Sequence, residues 1–228
     1  MYLDNSPYIK FEIYPDESNL QKLIVTFKDF GSFLKIIDIS KDFIKGEGDL
    51  IIYVDNKVNK ITHGNFNISD FSIKEASVLA RILQLASFTG LLEILASEGI
   101  PFNKLLGSFN NTNGKILFDK TRFEGISLGA SLQGEVDTNS KTIDIEGVLI
   151  PAYAINSIIN KIPLVGEIVT GTKGEGLIGV NFKAKGEYED PDISINPLSL
   201  LTPGILRNIF NMKDNGLEDK KNKESNSD

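Results

Sequence analysis

Cysteine is absent from the 228-residue chain, which excludes a disulfide framework and thiolate chemistry and leaves the redox compartment undetermined. Histidine occurs once, at His63, and arginine only at Arg81, Arg122 and Arg207. A lone histidine leaves little material for a zinc site or a Ser-His-Asp system, and no G-x-S-x-G elbow is present. Scarce arginine, with a formal net charge of -7, argues against a nucleic-acid partner. Long hydrophobic runs are missing too. The longest charge-free stretches, Gly147 to Asn160 and Ile193 to Leu206, contain proline and fall short of the about 20 apolar residues of a spanning helix. The opening residues MYLDNSPYIKFEIYPDES show no basic segment followed by an apolar one, so no secretory signal is expected.

What is present is the composition of a folded chain. Hydrophobic residues make up 41% and charged ones 24%, a balance that supports a packed core rather than disorder. Over the first seventy residues, YIKFEIY, LQKLIVTF, GSFLKIIDI, GDLIIYV and ITHGNFNISDFSI are rich in aromatic and β-branched residues. Turn formers at Pro15-Asp16, Gly31, Gly46-Glu47-Gly48 and Asp55-Asn56 divide them, as expected of a meandering antiparallel sheet.

From Lys74 to Gly99 the period changes. Val78, Leu79, Ile82, Leu83, Leu85, Ala86, Leu91, Leu92, Ile94 and Leu95 recur at three- and four-residue spacings, with Lys74, Ser77, Arg81 and Gln84 as a polar stripe. The spacing predicts one helix or a helical pair meeting at Gly90, ended by Gly99-Ile100-Pro101 and lying on a sheet. The strand pattern then resumes in GKILFDKTRFEG and GISLGASLQGEV. Alternation puts Ile126, Leu128, Ala130, Leu132 and Val136 on one face and Ser127, Ser131, Gln133 and Glu135 on the other. KTIDIEGVLIP follows through Asp137-Thr138-Asn139-Ser140 as an antiparallel neighbour. Short helices are expected at 153–161 and within 198–210, and residues 212–228, MKDNGLEDKKNKESNSD, read as a flexible charged tail. The fold class expected is therefore mainly β with α-helical covers, an elongated, curved antiparallel β-sheet or β-groove over residues 1–211.

Chemistry is hard to place on these residues. GTKGEG, Gly171 to Gly176, superficially resembles a phosphate loop. However, Lys173 precedes glycine rather than serine or threonine, and the order is not GxGxxG. Beyond it, Ile178, Val180, Phe182, Ala184 and Tyr188 alternate with Asn181, Lys183, Lys185 and Glu187. That is a strand, not the helix start a phosphate cradle needs. His63 reads as a surface or turn residue, and Asp190-Pro191-Asp192 as a turn rather than an acid-base pair. No catalytic residue, metal or cofactor is expected, and the chain does not read as an enzyme.

The C-terminal half resembles the C-terminal region of the AsmA-like bacterial envelope proteins. The likeness runs from about Phe102 to Leu200 and rests on the order of FNKLLGSFNNTNGKILFD, GISLGASLQGEVDTNSKTIDIEGVLIPAYAINSIINKIPLVGEIVTG and GEGLIGVNFKAKGEYEDPDISINPLS. Gly134, Val136 and Asp137 fit the family's first strand exit, Pro163, Leu164 and Gly166 its apolar bend, and Gly186 and Pro191 its final strand. No leader or N-terminal membrane helix of the family is visible in these residues. The resemblance implies a taco-like groove whose apolar inner face holds phospholipid acyl chains while its polar outer face meets the periplasm. It also implies an inner-membrane or envelope protein partner, and a place in phospholipid transport that supports the outer membrane. Inner-face candidates are Ile126, Leu128, Ala130, Leu132, Ile178, Val180 and Phe182. The competing expectation is a structural or protein-docking domain in which these residues form only a closed core.

Overall fold

Among the described residues, ten strands follow one another across a single sheet in chain order, each antiparallel to its neighbour. They are β1 (Ile9–Pro15), β2 (Leu20–Phe27), β3 (Phe43–Asp55), β4 (Lys60–Ile73), β5 (Ile100–Thr112), β6 (Lys115–Glu124), β7 (Leu128–Asp137), β8 (Thr142–Pro151), β9 (Gly179–Glu187) and β10 (Asp192–Leu198). The computed structural model describes residues 9–15, 19–151 and 179–198. The expected helices at 153–161 and within 198–210, the bend around Pro163, the GTKGEG loop, Ile178 and the charged tail lie outside the described residues. The sheet is mainly β, open and curved, with β1 and β10 as its edges rather than a closed barrel.

Its two ends are built differently. At one, the chain reverses through short side-chain-stabilised turns. The Asp55 carboxylate accepts from the Lys57 N–H at 2.7 Å, Asn111 Oδ1 from the Gly114 N–H at 3.0 Å, and Asp137 Oδ1 from the Asn139 N–H at 2.9 Å. Asn59, Asn113 and Lys141 take positive φ there, which a hairpin's twist requires of a tight turn. At the other end lie the three helices of the described residues, α1 (Phe30–Ile36), α2 (Ser77–Leu85) and α3 (Thr89–Ser97).

Helix α1 corrects the strand expected in GSFLKIIDI. Asp29 caps it, accepting from the Ser32 N–H at 2.9 Å and from the Ser32 hydroxyl at 2.7 Å, and such a cap supplies about 1 kcal/mol. Phe30, Phe33 and Leu34 then turn inward. Phe33 lies 4.5 Å from Phe27 and Phe30 lies 5.7 Å from Phe43, centroid to centroid. Burial against these rings outweighs the β-propensity of the two isoleucines that follow. Gly46 and Gly48, expected in a turn, sit within β3. Gly46 has φ 96, and a Cβ there would meet Phe71 Cβ at 3.0 Å.

The helical pair is present, but its junction is Ala86-Ser87-Phe88 rather than Gly90, which lies in the first turn of α3. Ser87 takes φ 59 and the Phe88 N–H donates to the Leu83 carbonyl at 2.9 Å. Ile82, Leu83, Phe88 and Leu95 point into one core with Phe27, Ile68, Phe71, Phe102 and Leu105. The rings of Phe43, Phe71 and Phe102 stack in series at 5.7 and 5.4 Å. Each such side chain, fully buried, contributes about 1.5–3 kcal/mol.

Candidate functional site

Residues paired across an antiparallel ladder project from the same face, so the registers define rows of side chains crossing the whole sheet. Near the helices one row reads Ile9, Phe27, Gly48, Ile68, Leu105, Phe123, Ala130, Leu149 and Val180 from β1 to β9. Further towards the hairpin turns, a second row on the same face reads Ile13, Leu23, Ile52, Gly64, Phe109, Phe118, Gly134, Ile145, Ala184 and Ile193. Every position in both rows is apolar or glycine. An apolar strip therefore runs across all ten strands.

Glycine has a packing role in that strip. A Cβ on Gly64 would stand 2.7 Å from Phe109 Cε1, and one on Gly147 would stand 2.7 Å from the Phe182 ring. In both places the aromatic ring lies over the glycine of the neighbouring strand and closes a gap in the strip.

The helices cover one part of this face and leave the other. Most of the first row is buried, whereas Leu23, Ile52, Phe109, Phe118, Ile145 and Ile193 in the second are only half-buried and Ile13 is 65% exposed. Helix α2 is drawn across to the β9–β10 connection. Arg81 pairs with Asp190 at 2.6 Å and donates to the Pro191 carbonyl at 3.1 Å. These residues come from chain segments far apart, and their contact ties the helical cover to the C-terminal edge of the sheet.

Five of the seven inner-face candidates are brought together. Ala130 and Val180 flank Leu149 in the first row, Leu132 and Phe182 flank Gly147, and Leu128 pairs with Pro151. Leu128, Ala130, Val180 and Phe182 are buried in the same core as Ile82, Leu83 and Leu95 of the helices, and Leu132 is half-buried. Ile126 is not with them. β7 begins only at Leu128, so Ile126 falls in the Gly125–Ser127 turn, where strand alternation does not apply, and it is 73% exposed. Ile178 lies outside the described residues. The half-buried residues of the second row were missed. Their signal was the alternation of LQKLIVTF, GDLIIYV and TIDIEGV, read across strands instead of along one.

The opposite face is polar and ion-paired. Asp144 meets Lys183 at 3.0 Å and Lys185 at 2.8 Å, and hydrogen bonds from Lys185 and then Lys183 hold its carboxyl below the usual carboxylate range. Asp137 is lowered as well, first by the Ser140 N–H and then by the Asn139 N–H. A cleft of about 640 Å³ opens on this face, with Arg122, Gln133, Glu146 and Lys183 in its lining. Leu132, Val148, Phe182 and Ile195 also contribute to its lining, so the cleft mixes charged and apolar groups, whereas every position of the two rows is apolar or glycine and makes the strip the better candidate for lipid. A second cavity, about 420 Å³, lies between Phe88 and Leu91 on one side and Ser127 and Pro151 on the other.

Other expectations are placed as follows. His63 sits within β4, not in a turn; its ring stacks on Tyr53 at 4.4 Å and its Nδ1 lies 2.9 Å from the Thr62 hydroxyl. Asp190 is engaged by Arg81, while Asp192 opens β10. Among the described residues no helix is long and apolar enough to cross a membrane. Compared with protein-family models, with curated proteins and with solved structures, the chain matches none.

Proposed function

We propose that this chain is a non-enzymatic lipid-handling domain of the AsmA-like kind. It would belong to a phospholipid-transport system of the bacterial cell envelope, periplasmic and associated with the inner membrane through a protein partner. The observation that carries the reading is the apolar strip crossing all ten strands, of which the helices cover only part. Acyl chains lie along the half-buried second row while head groups stay in water, with no covalent intermediate. Removing apolar surface from water supplies roughly 25 cal/mol per Å², so a chain resting on several of these side chains is held without a directional bond. The alternating polar face, with its paired charges, keeps the other side wet.

Photocrosslinking of membrane-derived lipid to the purified protein tests this directly. A photoreactive residue at Ile52 or Ile145 is expected to capture lipid, and Ile52→Ser with Ile145→Ser to abolish co-extraction while the fold persists. An intact protein exposed to membranes that captures no lipid at either position sinks the proposal. Burial of Leu128, Ala130, Val180 and Phe182 in one core with Ile82, Leu83 and Leu95 favours a second reading, a structural or protein-docking domain. In that case the same crosslinker captures polypeptide in place of lipid.

A further inference from the structure

Where α1 ends, the chain presents three isoleucines to solvent in close succession. Ile36 is 67% and Ile39 69% exposed, and Ile37 and Ile44 are exposed to a lesser degree. Single exposed aliphatic residues are ordinary, but a cluster on one short turn marks a contact surface. The turn is also firmly mounted. Phe30 and Phe33 pack on Phe27 and Phe43, and α1 approaches β3 so closely that a Cβ on Gly31 would collide with the Phe43 carbonyl.

The chemistry of the turn says what it meets. Its backbone donors are already used: the Ile37 N–H donates to the Phe33 carbonyl at 3.1 Å, Asp38 to Lys35 at 3.3 Å, and Ile39 and Ser40 both to Leu34, at 2.9 and 3.4 Å. The Asp42 N–H donates to the Ser40 hydroxyl at 3.1 Å. A segment with satisfied N–H groups enters an apolar medium without stranding a donor, and it offers no free strand edge for another polypeptide to pair with. Exposed Lys35, Lys41 and Lys45 surround the isoleucines, against Asp38 and Asp42. From Lys35 to Lys45 the stretch carries three lysines and two aspartates, a net charge of +1 in a chain of net charge -7, and the three exposed lysines are the groups complementary to anionic head groups. Burial, then the neighbouring Glu75, pushes the Asp42 carboxyl up from its usual range.

We infer that the Ile36-Ile37-Asp38-Ile39 turn is a membrane-contact tip, whose isoleucines enter the interface of a bilayer bearing anionic lipid while the flanking lysines meet the head groups. It deepens the lipid-handling reading, on which it rests for its biological purpose, by naming the surface that faces the bilayer.

Vesicle flotation tests it, using the full chain and vesicles of phosphatidylcholine alone or mixed equally with phosphatidylglycerol. Wild-type protein is expected to float with the mixed vesicles. Ile36→Ser with Ile39→Ser is expected to weaken that binding at least tenfold with unchanged thermal unfolding, while Val58→Ser, at the opposite end, leaves it unaltered. The chain contains no tryptophan, so Ile39→Trp gives a single reporter whose emission should shift to the blue on adding mixed vesicles. Absence of flotation, undiminished flotation of the double serine variant, or a water-like indole emission from the Ile39→Trp variant with vesicles bound each overturns the tip. A dimer in sedimentation that the double serine variant dissolves also overturns it, in favour of a second copy on this surface. Lipid capture at Ile52 and Ile145 is read without vesicles, so failure of the strip and failure of the tip are told apart.

Discussion

Along β2 to β9, the row from Phe27 to Val180 and the row from Leu23 to Ala184 share one face of one sheet, yet they meet different surroundings. The first is mostly sealed by α1, α2 and α3 and has become a core with stacked phenylalanines. The second carries the same kind of side chain but keeps much of it half-exposed next to hairpin turns fixed by Asp55, Asn111 and Asp137. The difference teaches that alternation makes a face apolar but does not say what will cover it. Cover is a tertiary property, supplied here by helices inserted between β2 and β3 and between β4 and β5.

The largest effect that can break this comparison is truncation under the cover. Leu83→Ala, at a fully buried position in α2, should cost about 2–5 kcal/mol in urea unfolding. The half-buried Ile145→Ala should cost only about 1 kcal/mol. Equal losses would mean that both rows belong to one dry core.

A smaller effect probes the rigidity of the open end. Gly134 has φ 143, and a Cβ there would collide with the Asp144 carbonyl and stand 2.7 Å from Ile145 Cα. Gly134→Ala should therefore destabilise by about 1–3 kcal/mol, and a neutral result would show that the strand can shift.

The turn beside it carries a pH signature. Because the folded state depresses the Asp137 carboxyl, its contribution is present above the ordinary carboxylate range and lost as pH falls through the depressed value. Asp137→Ala should reduce the acid sensitivity of stability measured by urea midpoints across that range; an unchanged acid limb would contradict it. The smallest effect belongs to Arg81→Ala. Its ion pair with Asp190 is exposed and is worth about 0–1 kcal/mol. Amide exchange in α2 should nonetheless quicken as the helix loses its tie to the sheet edge, and an unaltered exchange rate would show that the buried leucines alone hold the cover.

Much of this architecture was legible where local and global preferences agree. LGASLQGEVD and GVNFKAKGE alternate cleanly and became β7 and β9, with Ala130, Val180 and Phe182 on one face as read. The fold class, a curved antiparallel sheet with helical covers, followed from such stretches. GSFLKIIDI went astray because its aromatic and β-branched content resembles a strand, while the deciding forces were a cap at Asp29 and rings approaching from β2 and β3. Ile126 went astray because alternation has no marker for where a strand starts. The candidate site was legible as a face but not as an accessible surface. Which residues stay half-exposed depends on α2 reaching Asp190, a contact between residues 109 positions apart.

Strand order that copies chain order also bears on how the molecule is made. Each strand pairs only with its predecessor and successor, so hairpins can be added one by one as the chain is synthesised, with little loop entropy to overcome at each step. The helical pair, in contrast, is made before β5 to β10 exist. Its apolar side waits for β9 and β10, and the hairpin they form supplies the edge to which Arg81 fastens. The cover is thus tied down only once β9 and β10 are made, and a nascent chain halted before β9 would carry α2 with its partner edge still missing.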